Sequence, residues 1–136
     1  MTLFHFEELD HTADLALKVD GHSLKEVFAN AAYGMFSLMA DLEGLEPTIS
    51  HEISLESLDY EALLVDWLNE LLYLHEVEEE IYSRFEIEAL SSSVLSAIVW
   101  GAKMVTSKLT IKAATFHGLE IRETEDGCLA TVVFDV

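Results

Sequence analysis

The chain has 136 residues, 51% of them hydrophobic, with one proline and six glycines, enough for one compact domain and unlike a collagen-like or low-complexity polymer. Against 7 Lys and Arg stand 26 Asp and Glu, a formal charge of −19. That balance argues against binding to nucleic acid, where cations must displace counterions from phosphates, and against an anionic membrane surface.

The segment Met1 to Asp10 has no basic region and no long apolar run, so it does not read as a signal peptide. Leu3, Phe4 and Phe6 make it a weakly alternating strand, followed by the polar corner Asp10-His11-Thr12-Ala13-Asp14. Leu15, Leu17 and Val19 alternate with Ala16 and Lys18 at strand period, and Asp20-Gly21 closes the run. Ser23-Leu24-Lys25-Glu26 is a capping box, in which hydroxyl and carboxylate each satisfy an amide of the opening turn. Leu24, Val27, Phe28, Ala31, Met35 and Leu38 then mark one face of a helix expected to end near Ala40-Asp41.

Residues 42–48, with Gly44 and Pro47, read as a loop, and Ile49 to Leu55 as a strand. A second helix opens near Asp59, with Leu63, Leu64, Trp67, Leu68, Leu71 and Leu74 as its apolar stripe and Asp66 and Glu70 one turn apart. The run Glu76-Val77-Glu78-Glu79-Glu80 is expected to end it in a charged loop. Strands are expected at Tyr82–Ala89, Val94–Gly101, Lys108–Phe116, Leu119–Glu123 and Leu129–Asp135, with Ser91-Ser92-Ser93 as a polar turn and Thr124-Glu125-Asp126-Gly127 as a hairpin turn. Two helices and about seven strands predict an α+β fold, helices packed on mainly antiparallel sheet, over one domain, residues 1–136. No stretch reaches the roughly 18 apolar residues of a membrane span, and the chain reads as soluble and cytoplasmic.

No Lys or Arg occurs between Lys25 and Arg84. A solvated acidic face accounts for this, and an acidic docking face for a basic protein is compatible with it. No glycine-rich phosphate loop or serine elbow is present, and His5, His11, His22, His51, His75 and His117 form no helical zinc pair. Cys128, alone, excludes an intramolecular disulfide and a multi-cysteine zinc site; nearby Glu125 and Asp126 are expected to raise its pKa and leave it structural. Asp14, Asp135 and the carboxylate on Val136 would converge as oxygen donors for a hard cation if the last strand lies beside the second; isolated surface acids are the alternative.

The segments His11-Thr12-Ala13-Asp14, Asp20 to Phe28, Leu63 to Tyr73, Lys112 to His117 and Val132 to Val136 resemble the archease family, in family order and over nearly the whole chain. The resemblance implies a fold of strand-helix-strand-strand modules, here a two-layer sandwich of two helices on antiparallel sheet. It implies an accessory protein, not an enzyme, that activates the GTP- and manganese-dependent tRNA-splicing RNA ligase by speeding guanylylation of the ligase histidine and allowing multiple turnover. It also implies a divalent-metal site, Ca²⁺ first and Mn²⁺ or Mg²⁺ as alternatives, whose ligands match Asp14, Asp135 and Val136, with His11, Thr12, Lys112 and His117 as supporting or partner-facing residues. Three positions depart from the family pattern: Leu15-Ala16 where Ile-Gly is usual, Phe116 where Tyr is usual, and Cys128 where Trp is frequent. Docking is expected on the ligase protein, without direct nucleic-acid or membrane binding. The rival readings are a chaperone-like binding module using the apolar helix faces and a metal-dependent hydrolase using Asp14, Asp135 and His117.

Overall fold

A computed structural model describes residues 3–8, 14–104 and 107–136, with side chains from residue 14 onward. His11 and Thr12 lie outside the described residues. Among the described residues the chain order is β1 (Leu3–Glu8), β2 (Asp14–Gly21), α1 (Leu24–Met39), β3 (Ile49–Glu56), α2 (Tyr60–Glu78), β4 (Glu80–Leu90), β5 (Val94–Lys103), β6 (Ala113–Thr124) and β7 (Gly127–Asp135). The strands make a four-stranded sheet, β1-β2-β7-β6, and a three-stranded sheet, β3-β5-β4, antiparallel throughout.

The α+β fold expected from the sequence is the fold found, and its modules can be read from strand order. In β3-α2-β4-β5 the first strand pairs with the last, which pairs with the middle one. The same order, β2-β7-β6, follows β2 and α1 in the other sheet. One strand-helix-strand-strand module is thus inserted between the helix and the final hairpin of another.

Both helices touch both sheets. This explains why α1 has no fully exposed residue from Glu26 to Met39. Small residues permit the close approach: a Cβ on Gly34 would stand 3.0 Å from Leu17 Cδ2. Ser23 Oγ accepts from Glu26 N at 3.2 Å, while the Glu26 carboxylate reaches His22 N at 3.4 Å, closing the predicted capping box one residue upstream. Asp59 caps α2 by accepting from Ala62 N at 2.8 Å. The buried Trp67 indole donates to Phe28 O at 2.9 Å, so the large apolar anchor of α2 also satisfies a polar atom between the helices. The core gathers Phe28, Phe36, Trp67, Tyr82 and Phe134, each essentially inaccessible.

Three expectations are corrected. The run Glu76–Glu80 is not a loop: α2 continues to Glu78, Glu79 alone turns the chain at φ 55°, and Glu80 opens β4 with its side chain buried. The helix end tolerates this acid because Lys103 Nζ donates to Glu78 O at 2.8 Å, placing a cation where the helix dipole is negative. The strand expected at Lys108 begins at Ala113; Leu109 and Ile111 pack on the core from irregular chain held by Lys108 N to Met39 O at 2.7 Å. Finally, Phe116 to Leu119 does not separate two strands but forms a bulge within β6, between Thr115 opposite Val133 and Glu120 opposite Thr131.

Candidate functional site

Alternation along β2 sends Leu15, Leu17 and Val19 into the core, so Asp14 belongs to the opposite face. In β7, Phe134 points inward and Asp135 outward by the same rule. The register joins these facts: β2 pairs with β7, and Asp14 is the partner of Asp135 across the ladder. Opposed residues share a face with Cβ atoms about 5 Å apart, and like charges placed so repel. The end of the sheet therefore holds two carboxylates side by side, a donor set made of oxygen alone. Val136 follows directly, half-buried against the core. Among the described residues no three His, Cys, Asp or Glu side chains group as a metal cluster, so a third ligand at this pair would come from elsewhere.

The remaining sequence-derived residues flank the pair. The Lys112 amide donates to Asp135 O at 2.8 Å, and its side chain is exposed. His117 is exposed in the β6 bulge, where Gly118 takes a φ of 66° and lies over Val133, two residues before Asp135. Asn69 of α2 fixes the start of β6, donating to Ala114 O at 3.1 Å and accepting from Ala114 N at 2.8 Å. Between α2 and residues 110–112 lies an open groove of about 610 Å³, with Met39, Leu72 and Ile111 beneath it and Tyr73, Glu76 and Lys112 around it.

A second acidic centre escaped sequence reasoning. Glu80 is 3% exposed. Its carboxylate accepts from His51 Nε2 and from the Tyr82 hydroxyl, each at 2.7 Å, and Lys103 Nζ stands 3.6 Å away. A carboxylate only accepts, so His51 Nε2 carries the proton. His75 Nδ1 donates to the Glu80 carbonyl at 2.6 Å. Burial alone would raise the Glu80 pKa, but the hydrogen bonds from His51 and Tyr82, with the charges of His51 and Lys103, hold it below its ordinary value. Burial and the same carboxylate push the Tyr82 hydroxyl upward. No spacing signal distinguished Glu80 from the acids before it.

Cys128 is a buried thiol whose pKa is raised by burial first and by Glu123 second, not by Glu125 and Asp126 as the sequence suggested. It is poorly placed for nucleophilic or redox chemistry. Ser91 forms the expected polar turn, its hydroxyl accepting from Val94 N at 3.2 Å.

The family model described as the Archease protein family (MTH1598/TM1083) matches residues 6–136. Protein archease of Methanosarcina barkeri is 40% identical over 96% of this chain and 95% of its own. Protein archease of Saccharolobus islandicus is 37% identical over 96% of this chain and 98% of its own. The solution structure of Methanobacterium thermoautotrophicum protein 1598 is similar at a TM-score of 0.79 and 32% identity, covering 98% of both chains. A Thermotoga maritima archease, described as a possible chaperone, shares the fold at a TM-score of 0.63 and 23% identity over 96% of both chains.

Proposed function

The chain belongs to the archease family, and on that footing we propose that it is a metal-binding protein cofactor of the GTP-dependent tRNA-splicing RNA ligase, working in the cytoplasm. It promotes guanylylation and repeated turnover of the ligase and is not itself the catalyst. The observation that carries this reading is the facing pair Asp14 and Asp135 at the end of β2 and β7.

The pair fits a hard divalent cation. Its donors are all oxygen, and a cation relieves the repulsion between like charges held opposite each other. Asp14, Asp135 and a terminal carboxylate on Val136 would hold the ion, Ca²⁺ before Mn²⁺ or Mg²⁺. Once bound, the ion supplies the local positive charge and Lewis acidity that nucleotidyl transfer uses. Lys112 and His117 border this corner and face the partner. A chain of −19 charge suits a basic protein surface better than RNA.

The deciding experiment is ligation at substoichiometric ligase with and without this protein, using wild type, Asp14→Ala and Asp135→Ala. Wild type should raise turnover, and either variant should lose the stimulation while remaining folded. Stimulation that is absent in wild type, or equal in all three, overturns the reading.

A chaperone-like binding module is the second reading, raised by the description of the Thermotoga maritima relative. The apolar helix faces are core. Its contact surface would have to be built from exposed residues such as Leu58, Tyr73 and Phe116. Suppressed aggregation of unrelated clients, with no preference for a ligase, would favour it. Metal-dependent hydrolysis through Asp14, Asp135 and His117 ranks below both and predicts turnover by this protein alone.

A further inference from the structure

The backbone of Asp135 is held from two sides, by Asp14 of β2 and by Ala113 of β6. The β6 side is thin. Ala113, Ala114 and Thr115 stand opposite Asp135, Phe134 and Val133, and the ladder then lapses until Glu120. Residues 107–112, just upstream, contain no strand, and β6 is the outer strand of its sheet. Three rungs of ladder therefore stand alone beside the carboxylate pair. Two bonds outside the ladder bind this island to β7: Lys112 N to Asp135 O at 2.8 Å and Thr115 Oγ1 to Val133 O at 2.9 Å. Its outer edge is covered by a side chain. Asn69 of α2 accepts from Ala114 N at 2.8 Å and donates to Ala114 O at 3.1 Å. A primary amide carries a donor and an acceptor as a peptide group does, so one side chain fills both positions that a neighbouring strand would fill. Ala114 is 4% exposed, and without Asn69 both of its backbone groups would be buried and unpaired. Asparagine is a poor helix former, so its place in the interior of α2 asks for a tertiary reason, and these two bonds supply one.

We propose that Asn69 is the positioning residue of the aspartate pair. By clamping the first rungs of β6 against β7 it sets the backbone of Asp135, and with it the spacing between the Asp135 and Asp14 carboxylates. Donor groups that take a cation must be held to within about half an ångström, and the groups behind them do the holding. The inference rests on the cation reading for what the pair takes, and adds the residue that fixes its geometry. Asn30 supplies the comparison. Its Nδ2 donates to Asp20 O at 2.8 Å, so it too ties a helix to a strand by its amide, but at the far end of β2 from Asp14. A general tether between helix and sheet would make the two asparagines alike. A positioning residue makes them differ at the carboxylates.

The test compares wild type with Asn69→Leu and Asn30→Leu, each of which removes an amide at nearly constant volume. In isotope-labelled protein, the carboxyl resonances of Asp14 and Asp135 and the amides of Lys112 and Ala114 should move in Asn69→Leu and stay in place in Asn30→Leu. Calorimetry should show Ca²⁺ affinity per folded molecule reduced about fivefold or more in Asn69→Leu, and less than about twofold in Asn30→Leu. In wild type, coupling is reciprocal, so saturating Ca²⁺ should slow hydrogen exchange at the Ala114 amide. Resonances and affinity at wild-type values in Asn69→Leu overturn the proposal, and so do equal losses in both variants or an Ala114 amide indifferent to bound Ca²⁺. Should Asn69→Leu not fold, Asn69→Ser, too short to span both Ala114 groups, takes its place. If wild type takes up no Ca²⁺, Mn²⁺ or Mg²⁺, the cation reading falls, and the carboxyl resonances alone decide the positioning.

Discussion

Two acidic sites among the described residues handle negative charge in opposite ways. At Glu80 a single carboxylate is buried and surrounded by donors: His51 from β3, Tyr82 from β4 and Lys103 from β5. At the end of β2 and β7, two carboxylates, Asp14 and Asp135, are placed opposite each other near solvent. The first arrangement is satisfied by the protein's own groups. The second sets like charges side by side across the ladder, a repulsion that a shared cation would relieve. The Glu80 cluster ties β3, β4, β5 and the end of α2 together, whereas the aspartate pair is the one proposed to take a cation.

Substitution should separate the two. The largest effect is expected at Glu80→Ala, which takes the acceptor from the buried Tyr82 hydroxyl and the partly exposed His51; a loss of about 3 kcal/mol of stability is expected by denaturant titration, with cation affinity per folded molecule unchanged. Next comes Asp135→Ala or Asp14→Ala. Calorimetry with Ca²⁺ should show affinity reduced by about tenfold or more, with the fold retained by circular dichroism. A variant that lost stability and kept its cation would make the aspartate pair a second structural cluster.

Acid titration sharpens the contrast. The Glu80 carboxyl has a folded pKa below its ordinary value of 4.5. Its stabilising contribution is therefore full above the unfolded value and is lost as pH falls through the lowered folded value. Glu80→Gln should flatten that part of the acid limb of the stability curve, and equal limbs in both proteins would show that the cluster carries no such linkage. At the other extreme, the raised Tyr82 pKa makes its contribution full below about 10 and lost as pH climbs towards the folded value. The smallest effect is expected at the chain end. One residue added after Val136 should weaken Ca²⁺ binding a few-fold, while Val136→Ala, which preserves a terminal carboxylate, should change it less; equal affinity in all three would remove Val136 from the site.

The difference between the clusters also explains what could be read in the sequence. Strand β2 was legible because Leu15, Leu17 and Val19 alternate on one buried face, and α1 because Ser23 and Glu26 announce its start. Glu80 was illegible because its identity as a buried acid depends on His51, 29 residues earlier, and on Lys103. Locally it is one more glutamate in an acidic run. Leu109 and Ile111 alternate like a strand, but this stretch is held by the flanking amides, Lys108 N to Met39 O and Lys112 N to Asp135 O, outside a regular strand. Asp14 and Asp135 could be offered from the residues only on the condition that the last strand lies beside the second, and the family resemblance then singled them out; nothing local in either segment says that the register makes them partners. The groove beside α2 had no signal at all: Met39, Leu72 and Ile111 come together only when α1, α2 and the approach to β6 are assembled.

The insertion of one module inside another sets an order of assembly. Strands β3, β4 and β5 with α2 are continuous in sequence and can pair as soon as they are made. Strand β2 must wait for β7, so Asp14 meets Asp135 only after every other element has been synthesised. At about 5–20 residues per second, that leaves the front half of the outer module without its central neighbour for several seconds on the ribosome. A cation site at that corner would double as a proof of completion: a chain truncated before β7 lacks Asp135 and cannot form the pair.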